Sequence, residues 1–300
     1  MDCRRVLYVF KREEYSLPGE ETRSEGEVYH SLWKNSLPLH WRVSMNVVNE
    51  KCEVIRNERV SSDGHILVLN SRDISRQTLP GQFVEIGCYG EDMILRRPFS
   101  VFDVSSESLS LFIKIVGKGT KWLSELNSGS IVDLIGPLGN GFTVSSKSRS
   151  LLIGGGCGIA SLNLLSRKLF DSDSNSDTIF GFSKPEEIPQ EVIEGFQKRA
   201  NRVLVTVDKG PYPFIGNVVD RLKEIDLENY DRFYCCGPTR MLKALEPFLC
   251  KREVEVSLEA RMACGIGVCY GCTISTKHGS KRVCLDGPVF KMEEVEWNEM

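Results

Sequence analysis

From about residue 46 to 145, apolar and polar residues alternate in short bursts separated by turn-forming pairs. Ile66-Leu67-Val68-Leu69 follows Asp63-Gly64, and Gln82 to Ile86 follows Pro80-Gly81, the punctuation of strands joined by tight turns. Leu109, Leu111, Ile113 and Ile115 share one face of 109–116, the period of two of a half-buried strand. Ile131 to Ile135 then runs into Gly136-Pro137. Short strands at this spacing predict a small antiparallel Greek-key β-barrel. Near residue 150 the rhythm lengthens. Apolar strands at 151–153, 178–182, 203–207, 232–236 and 253–257 are separated by helix-like segments at 159–170, 189–199, 217–224 and 239–249. That alternation predicts a Rossmann-like parallel α/β sheet, since parallel neighbours need a crossover and helices then cover both faces. The polar run Asp171–Asp177 is expected to be a loop.

Residues 1–44 lack this order. Glu13–Glu27 is charged and carries Pro18-Gly19, so a poorly ordered extension is expected. Met45 is then a second candidate for the first residue, with a docking tail as the alternative reading of what precedes it. A chain of 300 residues suits two or three domains. The net charge of −3 offers no electrostatic reason to expect nucleic acid or an anionic membrane as partner. No apolar run approaches a bilayer span, and Met1–Phe10 lacks the apolar stretch of a secretory signal. Eleven cysteines, an odd number without an export signal, argue against a disulfide framework and for the reducing cytoplasm.

Four of those cysteines crowd the C-terminal part. Cys264, Cys269 and Cys272 stand in C-x4-C-x2-C spacing and Cys284 follows, the plant-type ligand pattern of a [2Fe–2S] cluster. Gly265, Gly267 and Gly271 let the backbone fold tightly and turn N–H groups toward sulfur. A structural zinc site is the rival, but zinc usually draws on two separated C-x2-C pairs rather than one glycine-rich loop. The remaining cysteines are scattered among apolar residues and read as small buried hydrophobes.

Arg96-Arg97-Pro98-Phe99-Ser100, expected at the end of a strand, offers a guanidinium and a hydroxyl to a flavin's diphosphate and ribityl chain, with Phe99 against a ring. Alone it could be a solvated strand edge. Gly117-Lys118-Gly119-Thr120 strengthens it by opening a helix over 120–127, with Thr120 as its expected cap. Leu151-Leu152-Ile153 feeds Gly154-Gly155-Gly156-Cys157-Gly158 and then a helix, the arrangement that brings a diphosphate to helix N–H groups. It is an incomplete dinucleotide fingerprint: Ser161 holds the third position, and no acidic residue closes the second strand at Gly181-Phe182-Ser183. A packing turn would look similar. Cys236-Gly237-Pro238 ends a later strand, on the edge where such sheets bind ligands. His30, His40, His65 and His278 are dispersed, and no catalytic residue is expected among them.

Taken in order, these motifs resemble the ferredoxin-reductase superfamily, and within it the family of electron-transfer subunits of class B dihydroorotate dehydrogenases. The resemblance spans about 46–294 and is carried by Leu95–Val101, Gly136–Phe142, Gly154–Gly158, Cys236–Pro238, Glu259–Cys264 and Val283–Phe290. It implies FAD held by Arg97, Pro98, Phe99, Ser100, Ile113, Lys114, Ile115, Gly119 and Thr120. It implies NAD as the substrate of a site containing Gly154, Gly155, Gly156, Gly158, Cys236, Gly237 and Pro238. It further implies cluster ligation by Cys264, Cys269, Cys272 and Cys284. The partner it implies is an FMN-containing catalytic subunit, two of each forming a heterotetramer, with electrons passing from dihydroorotate through FMN, cluster and FAD to NAD+ in pyrimidine biosynthesis. NAD is expected over NADP because Glu186 and Glu187 follow the second strand, although Lys184 pulls the other way. Cys157 departs from the family, which usually has a bulkier apolar residue there. The expected domains are the 1–44 extension, a FAD-binding barrel over 45–146, an NAD-binding α/β domain over 147–252 and a cluster module over 253–300. A reductase subunit of a ferredoxin or oxygenase system is the competing enzyme reading, and a zinc-stabilised binding module the non-enzyme one.

Overall fold

The computed structural model describes residues 47–90 and 93–300. The expected extension over 1–44 lies outside the described residues. Six antiparallel strands come first: β1 (Val48–Arg59), β2 (Gly64–Asn70), β3 (Phe83–Ile86), β4 (Arg97–Val104), β5 (Ser108–Lys114) and β6 (Ile131–Leu138). They close in the order β1-β2-β5-β4-β3-β6, so no strand edge is left exposed. Alternate residues point inward, and Val54, Leu67, Leu69, Val84, Leu109, Leu111 and Leu134 are completely buried there. Each such side chain contributes about 1.5–3 kcal/mol of burial free energy. Helix α1 (Lys118–Ser124) plugs one end through Leu123. Asn57 Nδ2 donates to the carbonyls of Leu123 and Leu126 at 3.0 and 2.9 Å, satisfying the end of that helix.

The second half is a six-stranded sheet. It comprises β7 (Arg149–Gly155), β8 (Asn175–Phe182), β9 (Arg202–Val207), β10 (Arg232–Cys236) and β11 (Val254–Ser257), all parallel. After β11 come the hairpin β12 (Thr273–Thr276) and β13 (Gly279–Arg282), and then β14 (Val289–Lys291), which returns to pair antiparallel with β11. The sheet order is β14-β11-β10-β7-β8-β9. Both faces are covered. Leu152, Phe180 and Tyr234 meet α2 (Ile159–Asp171) and α3 (Gln190–Gln197), while Leu151, Ile153, Ile179 and Phe233 meet α4 (Val218–Leu222) and α5 (Thr239–Leu249). Two buried faces are why these strands read as continuous apolar runs.

The structure corrects one boundary here. Asn175–Asp177, expected as loop, is the start of β8. Asp177 is 1% exposed and tolerable there because Arg202 Nη2 donates to it at 2.8 Å and the Tyr230 hydroxyl also donates.

Barrel and sheet are stapled at several points. Ser62 N–H donates to the Glu186 carbonyl at 2.9 Å, Lys114 pairs with Glu187 at 2.9 Å, and Arg167 pairs with Asp103 at 2.8 Å. Asn140 Nδ2 donates to the Asp286 carbonyl at 3.0 Å, tying the end of the barrel to the cysteine-rich segment.

Candidate cofactor sites

After Ser257 the chain leaves the sheet edge and winds into a tight loop. Gly265 and Gly267 have φ of +64° and +80°, a left-handed backbone that glycine adopts without penalty. A Cβ on Gly267 would lie 2.8 Å from Leu285 Cδ2, and one on Gly265 would lie 2.6 Å from Glu85 Cγ. The winding turns backbone amides onto sulfur. Gly267 N–H donates to Cys284 Sγ at 3.1 Å, while the N–H groups of Cys269, Gly271 and Cys284 donate to the sulfurs of Cys264, Cys269 and Cys272, each at 3.4 Å. Arg282 fastens the loop from below, with Nη1 donating to the Gly267 carbonyl at 2.9 Å.

The sulfurs stand as two pairs. Cys272 and Cys284 are buried with their sulfurs 3.2 Å apart, and Cys264 lies next to Cys269 nearer the surface. Burial and the adjacent Cys272 push the Cys284 thiol up to about 12. At Cys264 burial also works upward, but the amides of Cys269, Ile266 and Val268 outweigh it and bring the thiol down to about 7. Among the described residues no three ligand-type side chains gather at one point for a single ion. Two thiol pairs with amides aimed at sulfur fit a two-iron cluster, whose irons take two thiolates each, better than a tetrahedral zinc.

Glu85 lies beneath this loop with both carboxylate oxygens buried and unpartnered. Burial pushes it up to about 7, against the pull of Arg96.

The flavin motif opens β4 rather than ending a strand, because Arg96 pins the entry: its Nη2 donates to Asp133 Oδ1 at 2.6 Å. Arg97, Pro98, Phe99 and Ser100 line a cavity of about 310 Å³ together with Lys114 and Thr120. Gly119 is buried against Arg97, and a Cβ there would lie 3.0 Å from Arg97 Nε. Ile113 is buried in the barrel core, and Ile115 is held through its N–H on the Asp63 carbonyl at 2.8 Å. Thr120 is not the helix cap. Helix α1 begins at Lys118, and Thr120 sits in its first turn, accepting from Val116 and Gly117 N–H at 2.9 and 3.1 Å. A cavity with a guanidinium, hydroxyls and flat apolar faces has the chemistry to hold a flavin with its diphosphate.

Next to it lies a cleft of about 760 Å³, lined by Gly155, Gly156, Pro238 and Met241 at the carboxyl ends of β7 and β10, with Asp208 and Lys223 further out. Gly154, Gly158, Cys236 and Gly237 are buried just behind it. Gly158 is needed because a Cβ would lie 2.2 Å from the Cys236 carbonyl oxygen, so only glycine lets α2 start this close to β10. Lys114 lines both spaces. Burial alone would lower it, but its bonds to Glu187 and Asp63 hold it above its ordinary value. Glu187 is therefore committed to Lys114 and does not stand free for a ribose.

Sequence reasoning missed one wall. Ser257, Glu259 and Met262, on the way from β11 to the cluster loop, line the flavin cavity opposite β4. The available signal was topological: β11 ends on the same carboxyl edge as β7 and β10. Behind the cavity, Ser161 Oγ donates to Ser100 Oγ at 2.8 Å and Cys236 Sγ donates to Ser161 Oγ at 3.4 Å.

Comparison with known proteins agrees with this layout. A family described as the iron-sulfur cluster binding domain of dihydroorotate dehydrogenase B matches residues 259–296, and the oxidoreductase FAD-binding domain matches 51–142. The dihydroorotate dehydrogenase B (NAD(+)) electron transfer subunit of Shouchella clausii is 34% identical over 252 residues, covering 81% of this chain and 96% of its own. That of Caldanaerobacter subterraneus is 38% identical over 251 residues, covering 82% and 97%. Among solved structures, an NADH-dependent reduced ferredoxin-NADP oxidoreductase superposes with a TM-score of 0.74 at 31% identity, over 83% of this chain and 90% of that one. A ferredoxin reductase of carbazole 1,9a-dioxygenase shares the fold, with a TM-score of 0.60 at 24% identity over 69% and 67%.

Proposed function

Because the chain belongs to the family of dihydroorotate dehydrogenase B (NAD+) electron transfer subunits, we propose that Cys264, Cys269, Cys272 and Cys284 hold a [2Fe–2S] cluster, that the β4 cavity holds FAD, and that NAD+ enters the adjoining cleft. The chain is a flavin and iron–sulfur oxidoreductase subunit. A flavin exchanges electron pairs with nicotinamide and single electrons with an iron–sulfur cluster, which is the chemistry that joins the two ends of the subunit.

The protein's own residues bind and orient. Arg97 meets the diphosphate charge, Ser100 offers a hydroxyl to the ring, and Pro98 and Phe99 provide the flat apolar wall. The Ser257–Met262 wall closes the far side against water. The turn through Gly156 and Gly158 directs amides at the dinucleotide from the start of α2. No side chain is assigned a catalytic proton transfer.

Dihydroorotate would be oxidised on an FMN-containing catalytic subunit, two copies of each assembling as a heterotetramer. Ile266, Val268 and Tyr270, which are 48, 71 and 65% exposed around the cysteine loop, supply an apolar surface for that contact. An odd count of eleven cysteines favours the reducing cytoplasm, and no helix among the described residues is long and apolar enough to cross a membrane.

The observation that carries this reading is the paired sulfurs with amides directed at them, built next to the wall of the flavin cavity. An anaerobic absorbance spectrum with NADH titration tests it. Flavin bands plus a broad cluster absorption, both bleached by NADH, are expected. A colourless, zinc-containing protein would refute it. A ferredoxin-linked reductase is the second reading, favoured by the 0.74 superposition. Co-purification with an FMN-containing subunit that reduces the cluster from dihydroorotate separates the two.

A further inference from the structure

The incomplete dinucleotide fingerprint places a serine at position 161. Ser161 lies in the first turn of α2 and is 1% exposed, so its side chain touches neither the cleft nor solvent. It bridges two residues of the reaction region instead. Its Oγ is 2.8 Å from Ser100 Oγ on β4, and Cys236 Sγ at the end of β10 is 3.4 Å from Ser161 Oγ. One hydroxyl thus joins the barrel to both strand ends of the nucleotide edge.

We propose that Ser161 is a positioning residue for the flavin–nicotinamide reaction, fixing the Ser100 hydroxyl as a hydrogen-bond donor aimed into the flavin cavity. The inference rests on reading that cavity as the flavin site. It follows from where the protons go. A hydroxyl has one proton and two acceptor lone pairs, and a neutral thiol is a weak donor. Burial, then the Glu259 carboxylate, pushes the Cys236 thiol up to about 12, so it keeps its proton and gives it to Ser161 Oγ. The Ser161 proton is then directed to Ser100 Oγ. With its oxygen already accepting, the Ser100 hydroxyl turns its own proton elsewhere, and Ser100 lines the cavity. The backbones at both ends are fixed, Ser100 by its pairing with Phe83 and Ser161 by α2. Only the hydroxyl rotors are left to set, and the chain Cys236–Ser161–Ser100 sets them. Without the Ser161 hydroxyl, Ser100 is free to rotate and the buried thiol is left to its other hydroxyl neighbour, Ser257.

A coupling experiment on the holoprotein separates positioning from mere structural support. Ser161→Ala, Ser100→Ala, the double variant and Ser161→Cys are compared for FAD and iron content, NADH affinity, melting temperature and rate of flavin reduction by NADH in anaerobic stopped flow. The expected result is that Ser161→Ala keeps FAD, iron and NADH affinity but reduces flavin about 10-fold more slowly, the worth of one hydrogen bond. Adding it to Ser100→Ala should cause no further slowing, because the effect passes through Ser100. Ser161→Cys, which keeps a donor and an acceptor, should recover part of the rate. Wild-type rates in Ser161→Ala, slowing that multiplies with that of Ser100→Ala, or slowing that tracks loss of FAD and of melting temperature would each overturn the proposal. If Ser161→Ala does not fold, Ser161→Cys in the Ser100→Ala background carries the same test. A wild-type protein without FAD would fail the flavin reading and take the proposal with it, whereas full FAD with multiplying effects would fail the proposal alone.

Discussion

The cysteine loop and the flavin cavity share a wall, yet they are built from different parts of the chain. In the loop the donors are backbone: Gly267, Cys269, Gly271 and Cys284 N–H groups point at sulfur, and the path of the main chain decides everything. In the cavity the donors are side chains, Arg97, Ser100 and Lys114, brought from β4 and β5 by the closure of the barrel. A backbone site is fragile to any residue that alters φ and, its ligand sulfurs aside, tolerant of its side chains. A side-chain site is the reverse.

The largest effect should come from removing a sulfur. Cys272→Ser is expected to lose the cluster absorption and nearly all of about two irons per chain while FAD stays bound, measured by iron analysis and visible spectroscopy. Cys235→Ser, a buried strand residue outside the loop, should keep both. Next is the backbone test. Gly267→Ala meets a φ of +80° and Leu285 at 2.8 Å, and should cost about 2–3 kcal/mol in denaturant unfolding. Gly271→Ala meets only Cys269 Sγ at 3.5 Å and should cost well under about 1 kcal/mol. Arg97→Ala is expected to weaken FAD about 20-fold in fluorescence titration, through loss of a charged hydrogen bond. Arg96→Ala should leave FAD affinity nearly intact, because Arg96 holds Asp133 rather than the cavity. If both arginines mattered equally, the contrast between pinning and binding would collapse.

The last contrast depends on pH and belongs to Glu85. Its carboxyl goes from an ordinary 4.5 to about 7 on folding. The native state then holds a proton that the unfolded chain has released, so stability is fully present below about pH 4.5 and is lost as pH rises through about 7. Glu85→Gln cannot ionise. It should raise the melting temperature at pH 8 by the equivalent of about 3 kcal/mol, and at pH 5 by less than about 1 kcal/mol.

The same contrast explains what was legible in the sequence. The loop could be read because a backbone site needs glycines and ligands at fixed short spacings, and Cys264 to Cys272 display them. The strand–helix alternation after residue 150 was equally clear, since each strand is buried on two faces. The cavity was only half visible. Arg97 and Ser100 carried a local motif, but the Ser257–Met262 wall and Ser161 reach the site through sheet order, which no local pattern encodes. β1 did not announce itself because its burial alternates with charged positions and only Cys52 and Val54 turn fully inward. Asn175–Asp177 looked like loop because the salt bridge that permits a buried aspartate comes from Arg202, far along the chain. Arg97 was expected to end a strand, because the Arg96–Asp133 pin that starts β4 is a long-range contact.

One feature of the sheet bears on how the molecule would survive damage. Ser257 and Val289 face each other across β11 and β14, so the cysteine-rich segment leaves and re-enters the sheet at a single doorway. Beyond that doorway Met292, Val295 and Trp297 are packed into the main core. A protease that nicked the loop near Val268 would therefore sever the chain without parting the pieces. The cut protein would still run as one particle in solution, its two halves clasped by a strand pair and three buried side chains, and only a denaturing gel would reveal the break.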